Sequence, residues 1–175
     1  DEVGFAYLGE LNGHYYYVSM DSANWYDGLY FTDTVDVGEE TQIYMATISS
    51  QEENDFIQSS MDSAFNNQSV GSWIGFTDEM EEENWQWVTG EEVIYTNWAE
   101  GEPSNDNGME HYAEIMTDGT WNDLSYDWEL RFIVELELDD FDSGAVYFVK
   151  EDYADVYDPD NWDHITGSVA ITRAD

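Results

Sequence analysis

The sequence predicts an α+β fold in which two helices accompany two small antiparallel sheets and a long polar loop region. Asn12-Gly13 lies between two aromatic runs, which is the pattern of a tight β-hairpin. Ser50 with Glu53 three positions later forms a capping box, a usual start of a helix. Apolar and polar positions alternate over residues 130–138, which predicts a half-exposed strand. Helix and strand patterns that occur together within 175 residues favour a single α+β domain.

The first part of the chain is expected to contain the hairpin and both helices. The hairpin is expected over residues 3–18, and the spacing of Trp25 and Leu29 predicts the first helix. A short strand at residues 43–48 precedes the second helix, which begins after Ser50 and ends near Met61.

The later strands are short and rich in aromatic residues. Residues 73–76 predict a buried strand, and residues 84–88 alternate with two tryptophans on one face. Residues 113–116 followed by Asp118-Gly119 predict a strand and a hairpin turn. We expect core packing rather than a sugar-stacking platform for four tryptophans, namely Trp73, Trp85, Trp98 and Trp121.

The chain divides into a main domain of residues 1–138 and a C-terminal β extension of residues 139–175 packed on the same domain. Within the extension, residues 145–149 and 168–172 resemble strands separated by an acidic loop. The extension contains no recognisable motif, so its contribution to function is left open.

The charge of the chain excludes several classes of partner. Asp and Glu number 41, against three basic residues, and the net charge is −38. Such a surface repels phosphate, so nucleic acid and anionic membranes are not expected partners. No apolar run approaches the length of a membrane span, so we expect no membrane insertion. Concentrated salt or divalent cations would make this charge tolerable, which indicates a saline habitat.

One polar stretch, residues 102–123, concentrates side-chain oxygens in two clusters about a dozen positions apart. The first cluster surrounds Pro103 and extends to Glu110, and the second is Asn122-Asp123. The predicted hairpin between them would bring the clusters together, and an X-Pro bond such as Glu102–Pro103 can be cis. Since Ca²⁺ takes six to eight oxygen ligands, these residues predict a calcium site.

The motifs of this region, with the segments before it, resemble the C-type lectin-like domain in order and spacing over residues 12–136. Glu102 and Glu110 are eight positions apart and Asn122 lies twelve further on, as in that family. Ser104 departs from the family pattern, because sugar-binding members usually have Asn or Asp there. The motifs that carry the resemblance are Trp73-Ile74-Gly75, Trp98, Glu102-Pro103-Ser104, Glu110 and Trp121-Asn122-Asp123.

The resemblance implies a primary Ca²⁺ site that also binds sugar, and a possible second Ca²⁺ site. The primary ligands would be Glu102, Ser104, Glu110, Asn122 and Asp123. The second site would use Asp78, Glu82 and Asn105, with His111 where the family usually has a carboxylate. A solvated acidic loop is the alternative reading of this second group. Sugar contacts would come from Glu102, Ser104, Asn105, Glu110 and Asn122, and we add the aromatics Tyr126 and Trp128, which follow the ligand pair.

The chain contains no cysteine, although the family is usually stapled by two disulfide bridges. Tyr112 and Tyr126 occupy the positions of one bridge, and Val134 occupies one end of the other. We therefore expect aromatic and aliphatic packing in place of the covalent links, and a bacterial or archaeal origin. His14 and His164 show no metal-ligand spacing and are expected to be ordinary surface or turn residues.

The function that we predict is Ca²⁺-dependent carbohydrate binding for adhesion to cell-surface glycans, with vicinal diols of the fucose, mannose or glucose type. The expected setting is secreted or at the cell surface, within a larger bacterial adhesin of the RTX type. The alternative is a lectin-like module of an adhesin that recognises a protein, a peptide or ice instead. The sequence offers no nucleophile–base pair and three scattered histidines, so we do not expect an enzyme.

Overall fold

A computed structural model describes residues 4–35, 37, 41–66 and 70–138 of the chain. The predicted β extension at residues 139–175, including its two strands and His164, lies outside the described residues. The same is true of residues 1–3, which include the first position of the predicted hairpin, and of parts of two loops.

The described residues contain two α-helices and eight strands, which confirms the α+β prediction. The helices are α1 (Trp25–Thr34) and α2 (Gln51–Ala64). The strands are β1 (Phe5–Leu11), β2 (His14–Ser19), β3 (Thr41–Met45), β4 (Ser72–Thr77), β5 (Gln86–Trp87), β6 (Tyr112–Ile115), β7 (Trp121–Leu124) and β8 (Arg131–Leu138).

The strands join into one mixed sheet in the order β1-β2-β8-β4-β6-β7, with β3 paired to β8 and β5 paired to β4. Every pairing is antiparallel except that of β4 with β8, which is parallel. The two predicted antiparallel groups are therefore joined through this parallel pair. The β6–β7 hairpin ends the sheet and carries the polar loop region.

The N-terminal hairpin has the predicted turn. Leu11 pairs with His14, and Asn12 and Gly13 both adopt positive φ, 55° and 90°. Asn and Gly tolerate this conformation better than other residues, which is why the pair marks two-residue hairpins.

Helix α2 begins at the predicted capping box but ends later than predicted. The Ser50 side chain accepts from the backbone N–H of Glu53 at 3.2 Å. The Glu53 carboxylate then accepts from the backbone N–H and hydroxyl of Ser49, at 2.7 and 2.9 Å. The helix continues to Ala64 because Ile57 and Met61 are buried on its sheet-facing side.

Helix α1 lies close to strand β8 because of Gly28. A Cβ added there would stand 3.1 Å from the Phe132 ring, tighter than most packing contacts. The N-terminus of the helix is capped by Asn24, whose side chain accepts from the backbone N–H of Asp27 at 2.9 Å.

The prediction that β8 is half-exposed is wrong. The strand lies between β2 and β4 and also pairs with β3, so residues 132–136 are all buried. Ile133 belongs to one hydrophobic cluster, while Phe132, Val134 and Leu136 belong to the second. A strand with apolar layers on both faces is buried at every position, whatever its own pattern of alternation.

The burial of β8 places Glu135 inside the protein and changes the role of His14. Glu135 is only 2% exposed, and it accepts a hydrogen bond from the backbone N–H of Thr47 at 3.0 Å. His14, on the neighbouring strand β2, hydrogen-bonds the same carboxylate through Nδ1. The expectation that His14 is an ordinary surface or turn residue is therefore wrong.

The residues that the resemblance places at disulfide positions pack against other side chains. The Tyr112 and Tyr126 ring centroids are 6.3 Å apart, with the rings edge to face. Val134 is fully buried in the second cluster. Trp73, Trp87 and Trp121 are also buried, while Trp85 and Trp98 pack partly exposed against Phe76.

Candidate functional site

The β6–β7 hairpin brings the two oxygen-rich clusters together, as the sequence predicts. Ala113 pairs with Asp123 and Glu114 with Asn122 across the hairpin. The segment before Glu102 is tied to the same strand, because the Ala99 N–H donates to the Trp121 carbonyl at 2.9 Å. The Glu102–Pro103 peptide bond is cis.

Asp123 holds the backbone of the loop through hydrogen bonds. It is fully buried, and its two carboxylate oxygens accept the backbone N–H groups of Ser104 and Asn105, each at 2.8 Å. These bonds to successive residues determine where the loop backbone crosses the end of β7.

Glu110 closes the other side of the loop. Its Oε2 accepts the Asp106 N–H at 2.7 Å and the Ser104 hydroxyl at 3.2 Å. The Glu110 N–H donates in turn to Oδ1 of Asn105, at 3.2 Å. The Ser104 hydroxyl and the Asn105 amide oxygen therefore both hold Glu110 in place.

The surroundings of the Glu102 carboxylate disfavour its charged form. Its Oε2 is buried and has no hydrogen-bond partner. Desolvation, followed by the adjacent Asp123 carboxyl, raises the pKa of Glu102 above its ordinary value. A buried, unpaired carboxylate oxygen beside a second carboxylate is unfavourable unless a cation joins them. The unpaired Oε2 of Glu102, next to the Asp123 carboxyl, is the feature of this loop that fits a hard cation such as Ca²⁺.

Asn122 points toward a residue that sequence reasoning missed. Its Nδ2 donates to Oε1 of Glu114 at 3.3 Å. Glu114 is almost fully buried, and burial raises the pKa of its carboxyl. Gly71 makes room for it, since a Cβ there would stand 1.8 Å from Glu114 Oε2. A glutamate within the otherwise apolar strand β6 was the available signal.

The side chains of a possible second metal site lie close to one another. His111 Nδ1 is 3.0 Å from Oδ1 of Asp78 and 3.6 Å from Oε2 of Glu82. These three side chains can direct one ligand atom each into a space in which all three atoms lie within 4.8 Å of one another. His111 thus joins the predicted Asp78 and Glu82, while the predicted Asn105 uses its side-chain oxygen on Glu110.

The two aromatics predicted to contact sugar differ in their surroundings. Trp128 is 57% exposed and Tyr126 39% exposed. The Tyr126 ring packs against Tyr26 on α1, with centroids 5.4 Å apart, as well as against Tyr112. Tyr126 is therefore anchored, and Trp128 presents the larger open surface.

Comparisons with known proteins agree with this arrangement. The sequence pattern described as "Lectin C-type domain" matches residues 32–135. Hepatic lectin of Gallus gallus is 31% identical over 130 residues, which cover 73% of this chain and 57% of that protein. Halomucin of Haloquadratum walsbyi is 33% identical over 133 residues, 64% of this chain and 1% of that protein. The chain therefore spans less than two thirds of the length of these relatives.

A solved structure shows the same fold. The mouse scavenger receptor C-type lectin carbohydrate-recognition domain superposes with a TM-score of 0.63 at 28% identity. The match covers 79% of this chain and 97% of that domain. The fold described above therefore matches nearly the whole of that domain.

Proposed function

The chain belongs to the C-type lectin domain family, and from this membership we propose that it binds carbohydrate through a Ca²⁺ ion held by the Glu102 loop. The family consists of carbohydrate-binding proteins, which agrees with the prediction that the chain is not an enzyme. The proposed ligands are Glu102, Ser104, Glu110, Asn122 and Asp123.

The observation that carries the proposal is the unpaired Oε2 of Glu102. By contrast, both oxygens of Asp123 and Oε2 of Glu110 accept backbone N–H groups of the loop, from Ser104, Asn105 and Asp106. Ca²⁺ would supply the missing partner for Glu102 and offset the repulsion between Glu102 and Asp123.

Sugar recognition follows from incomplete coordination of the ion. Ca²⁺ accepts up to eight oxygen ligands, and five side chains need not fill them all. Two vicinal hydroxyls of a pyranose can occupy the remaining positions, while the ligating carboxylates and amide accept or donate hydrogen bonds to the same hydroxyls. We propose diols of the fucose, mannose or glucose type, and Trp128 as an aromatic surface beside them.

The test is binding to a glycan array in Ca²⁺ and in chelator, with the wild type and Glu102→Gln. We expect Ca²⁺-dependent binding that Glu102→Gln abolishes. Glu92→Gln is the matched control, because Glu92 is an exposed glutamate outside the loop. Glycan binding that persists in chelator, or that survives in Glu102→Gln, would contradict the proposal.

The setting of the domain is also a proposal. We propose a secreted or cell-surface location within a larger adhesin of the RTX type. The acidic composition, the absence of cysteine and the partial coverage of longer relatives support it. None of the described helices has both the length and the apolar character needed to cross a membrane.

We further propose the domain boundary at residue 138, with residues 139–175 as a β extension packed on the domain. The family match ends at residue 135, close to this boundary. A truncation after residue 138 that loses sugar binding would show that the extension belongs to the binding domain itself.

A further inference from the structure

We propose that Asp78, Glu82 and His111 form a binding site for a transition-metal ion of the Zn²⁺ type rather than for Ca²⁺. The resemblance implies calcium at this place, with a carboxylate where His111 stands. The imidazole does not fit that expectation. The inference is independent of the proposed sugar site, because none of the three side chains is among its five ligands.

The distances among the three groups suit a small tetrahedral ion. Tetrahedral Zn²⁺ holds nitrogen and oxygen ligands at about 2.0–2.2 Å, which separates neighbouring ligand atoms by roughly 3.3 Å. His111 Nδ1 stands 3.0 Å from Asp78 Oδ1 and 3.6 Å from Glu82 Oε2, on either side of that value. The ligand atoms of all three residues lie within 4.8 Å of one another, so small side-chain shifts can bring them to the spacing of a tetrahedral site.

The buried part of the site is already held in position. The Asp78 side chain is 1% exposed, and its second oxygen, Oδ2, accepts the Glu83 N–H at 2.8 Å. That bond leaves Oδ1 directed at His111. Hydrogen-bonded carboxylates of this kind are typical of metal ligands, because the outer bond sets the direction of the free oxygen.

The backbone of His111 is fixed by the same segment. Its carbonyl accepts the Thr77 hydroxyl at 2.8 Å and the Asp78 N–H at 3.2 Å. The histidine and the aspartate are thus joined through both main chain and side chain. Little conformational freedom remains to be lost when an ion binds, which favours affinity.

The side facing solvent is open to an ion and to water. Glu82 is 50% exposed and His111 26% exposed, in contrast to Asp78. The ion can enter from this side, and a water molecule can complete a tetrahedron of one nitrogen and three oxygens. Catalytic zinc ions commonly keep such a water as the fourth ligand.

The nitrogen ligand determines the class of metal. Ca²⁺ and Mg²⁺ are hard cations that take oxygen ligands almost exclusively. Imidazole favours Zn²⁺, Cu²⁺, Ni²⁺ and related ions. Replacing a carboxylate by a neutral imidazole also removes one negative charge, which weakens Ca²⁺ more than it weakens Zn²⁺. On binding, the metal takes the place of the Nδ1 proton that hydrogen-bonds Asp78, and the neutral ring carries its proton on Nε2 instead.

The experiment uses Co²⁺ as a spectroscopic probe, on the full chain freed of metal by chelator. Co²⁺ is titrated in millimolar Ca²⁺, so that calcium occupies the primary site and the exposed carboxylates. We expect one Co²⁺ per chain with the visible absorption of tetrahedral coordination, displaced by equimolar Zn²⁺ and retained in excess Ca²⁺. His111→Asn and Asp78→Asn should each lose this absorption.

Two control variants separate this site from the rest of the chain. His14→Asn removes the other described histidine, and Glu102→Gln removes a ligand of the proposed sugar site. Both should bind Co²⁺ as the wild type does, so failure of the sugar proposal would leave this result unchanged. Melting curves in chelator verify that His111→Asn is folded.

Three results would overturn the inference. The first is an unchanged Co²⁺ spectrum in His111→Asn. The second is displacement of Co²⁺ by equimolar Ca²⁺, which would make this a calcium site. The third is absence of tetrahedral absorption in the wild type, which would reduce the cluster to an ion pair between His111 and Asp78.

Discussion

His14 on β2 hydrogen-bonds the carboxylate of Glu135 on β8, so a histidine at the edge of the protein reaches a charge in its interior. Tyr16 and Tyr44 donate to the same carboxylate oxygen, at 3.3 and 3.2 Å. Glu53 and Glu137 lie next to the group, hydrogen-bonded to these two tyrosines. The network joins β2, β3, β8 and α2.

This network predicts that the free energy of unfolding falls as the pH rises. The hydrogen bond that His14 donates to the Glu135 carboxylate raises the pKa of His14 above 6.5, so the stabilisation is complete below 6.5 and is lost as the pH passes the folded-state pKa. Burial raises the pKa of Glu135 above 4.5, so the folded state binds this proton more tightly than the unfolded chain does. Its contribution also decreases with rising pH, in a window that begins at 4.5.

The measurement is chemical denaturation between pH 5 and 9 in high salt, which screens the general charge repulsion. His14→Asn keeps a hydrogen-bond donor but cannot be charged, so its profile should be flatter than the wild type above pH 6.5. Parallel profiles of the two proteins would show that the His14 charge does not contribute to stability.

Glu102→Gln should stabilise the protein in chelator and destabilise it, relative to the wild type, in Ca²⁺. In chelator the variant should melt higher than the wild type, because the amide removes the repulsion between Asp123 and a carboxylate whose Oε2 is buried without a hydrogen-bond partner. In Ca²⁺ the wild type should gain about 2.7 kcal/mol at a hundredfold excess over the Kd, and the variant much less. Calorimetry at matched ionic strength tests whether the order of the two melting temperatures reverses. A variant that melts lower than the wild type under both conditions would contradict the prediction.

Ser104→Asn should strengthen Ca²⁺ binding. The longer amide can reach an ion while the backbone N–H keeps its bond to Asp123 at 2.8 Å. We expect a gain of about 1 kcal/mol, roughly fivefold in Kd, measured by isothermal titration calorimetry. Ser104→Ala is the comparison, since it removes only the hydroxyl bond to Glu110. Weaker binding by Ser104→Asn than by Ser104→Ala would show that the loop has no room for the amide.

Gly71→Ala should destabilise the fold through Glu114. The new methyl would stand 1.8 Å from Oε2, so the carboxylate must leave its place and its bond with Asn122. We expect a loss of about 1–3 kcal/mol in unfolding free energy, typical of overpacking. Combining it with Glu114→Ala removes the clash, so a double-mutant cycle should show positive coupling. Additive effects would mean that the loss arises from the backbone alone.

Local chemistry was sufficient to predict much of this protein from its sequence. The Asn12-Gly13 turn depends on φ values that few other residue types adopt, and the start of α2 depends on Ser50 and Glu53 three positions apart. The position of the Glu102 loop next to Asp123 depends on the short β6–β7 hairpin, which sets Asp123 opposite Ala113. In each case the residues that determine the structure are near neighbours in the chain.

Tertiary structure alone decided where the buried charges lie. Alternation along β8 predicts one exposed face, but β8 is covered on both faces because two hydrophobic clusters meet on it. That burial places Glu135 against His14, which is 121 positions away in the chain. The approach of Asp78 and His111, 33 positions apart, likewise depends on the pairing of β4 with β6. No local pattern reports which strands become neighbours, because strand pairing is determined by the burial of the whole chain.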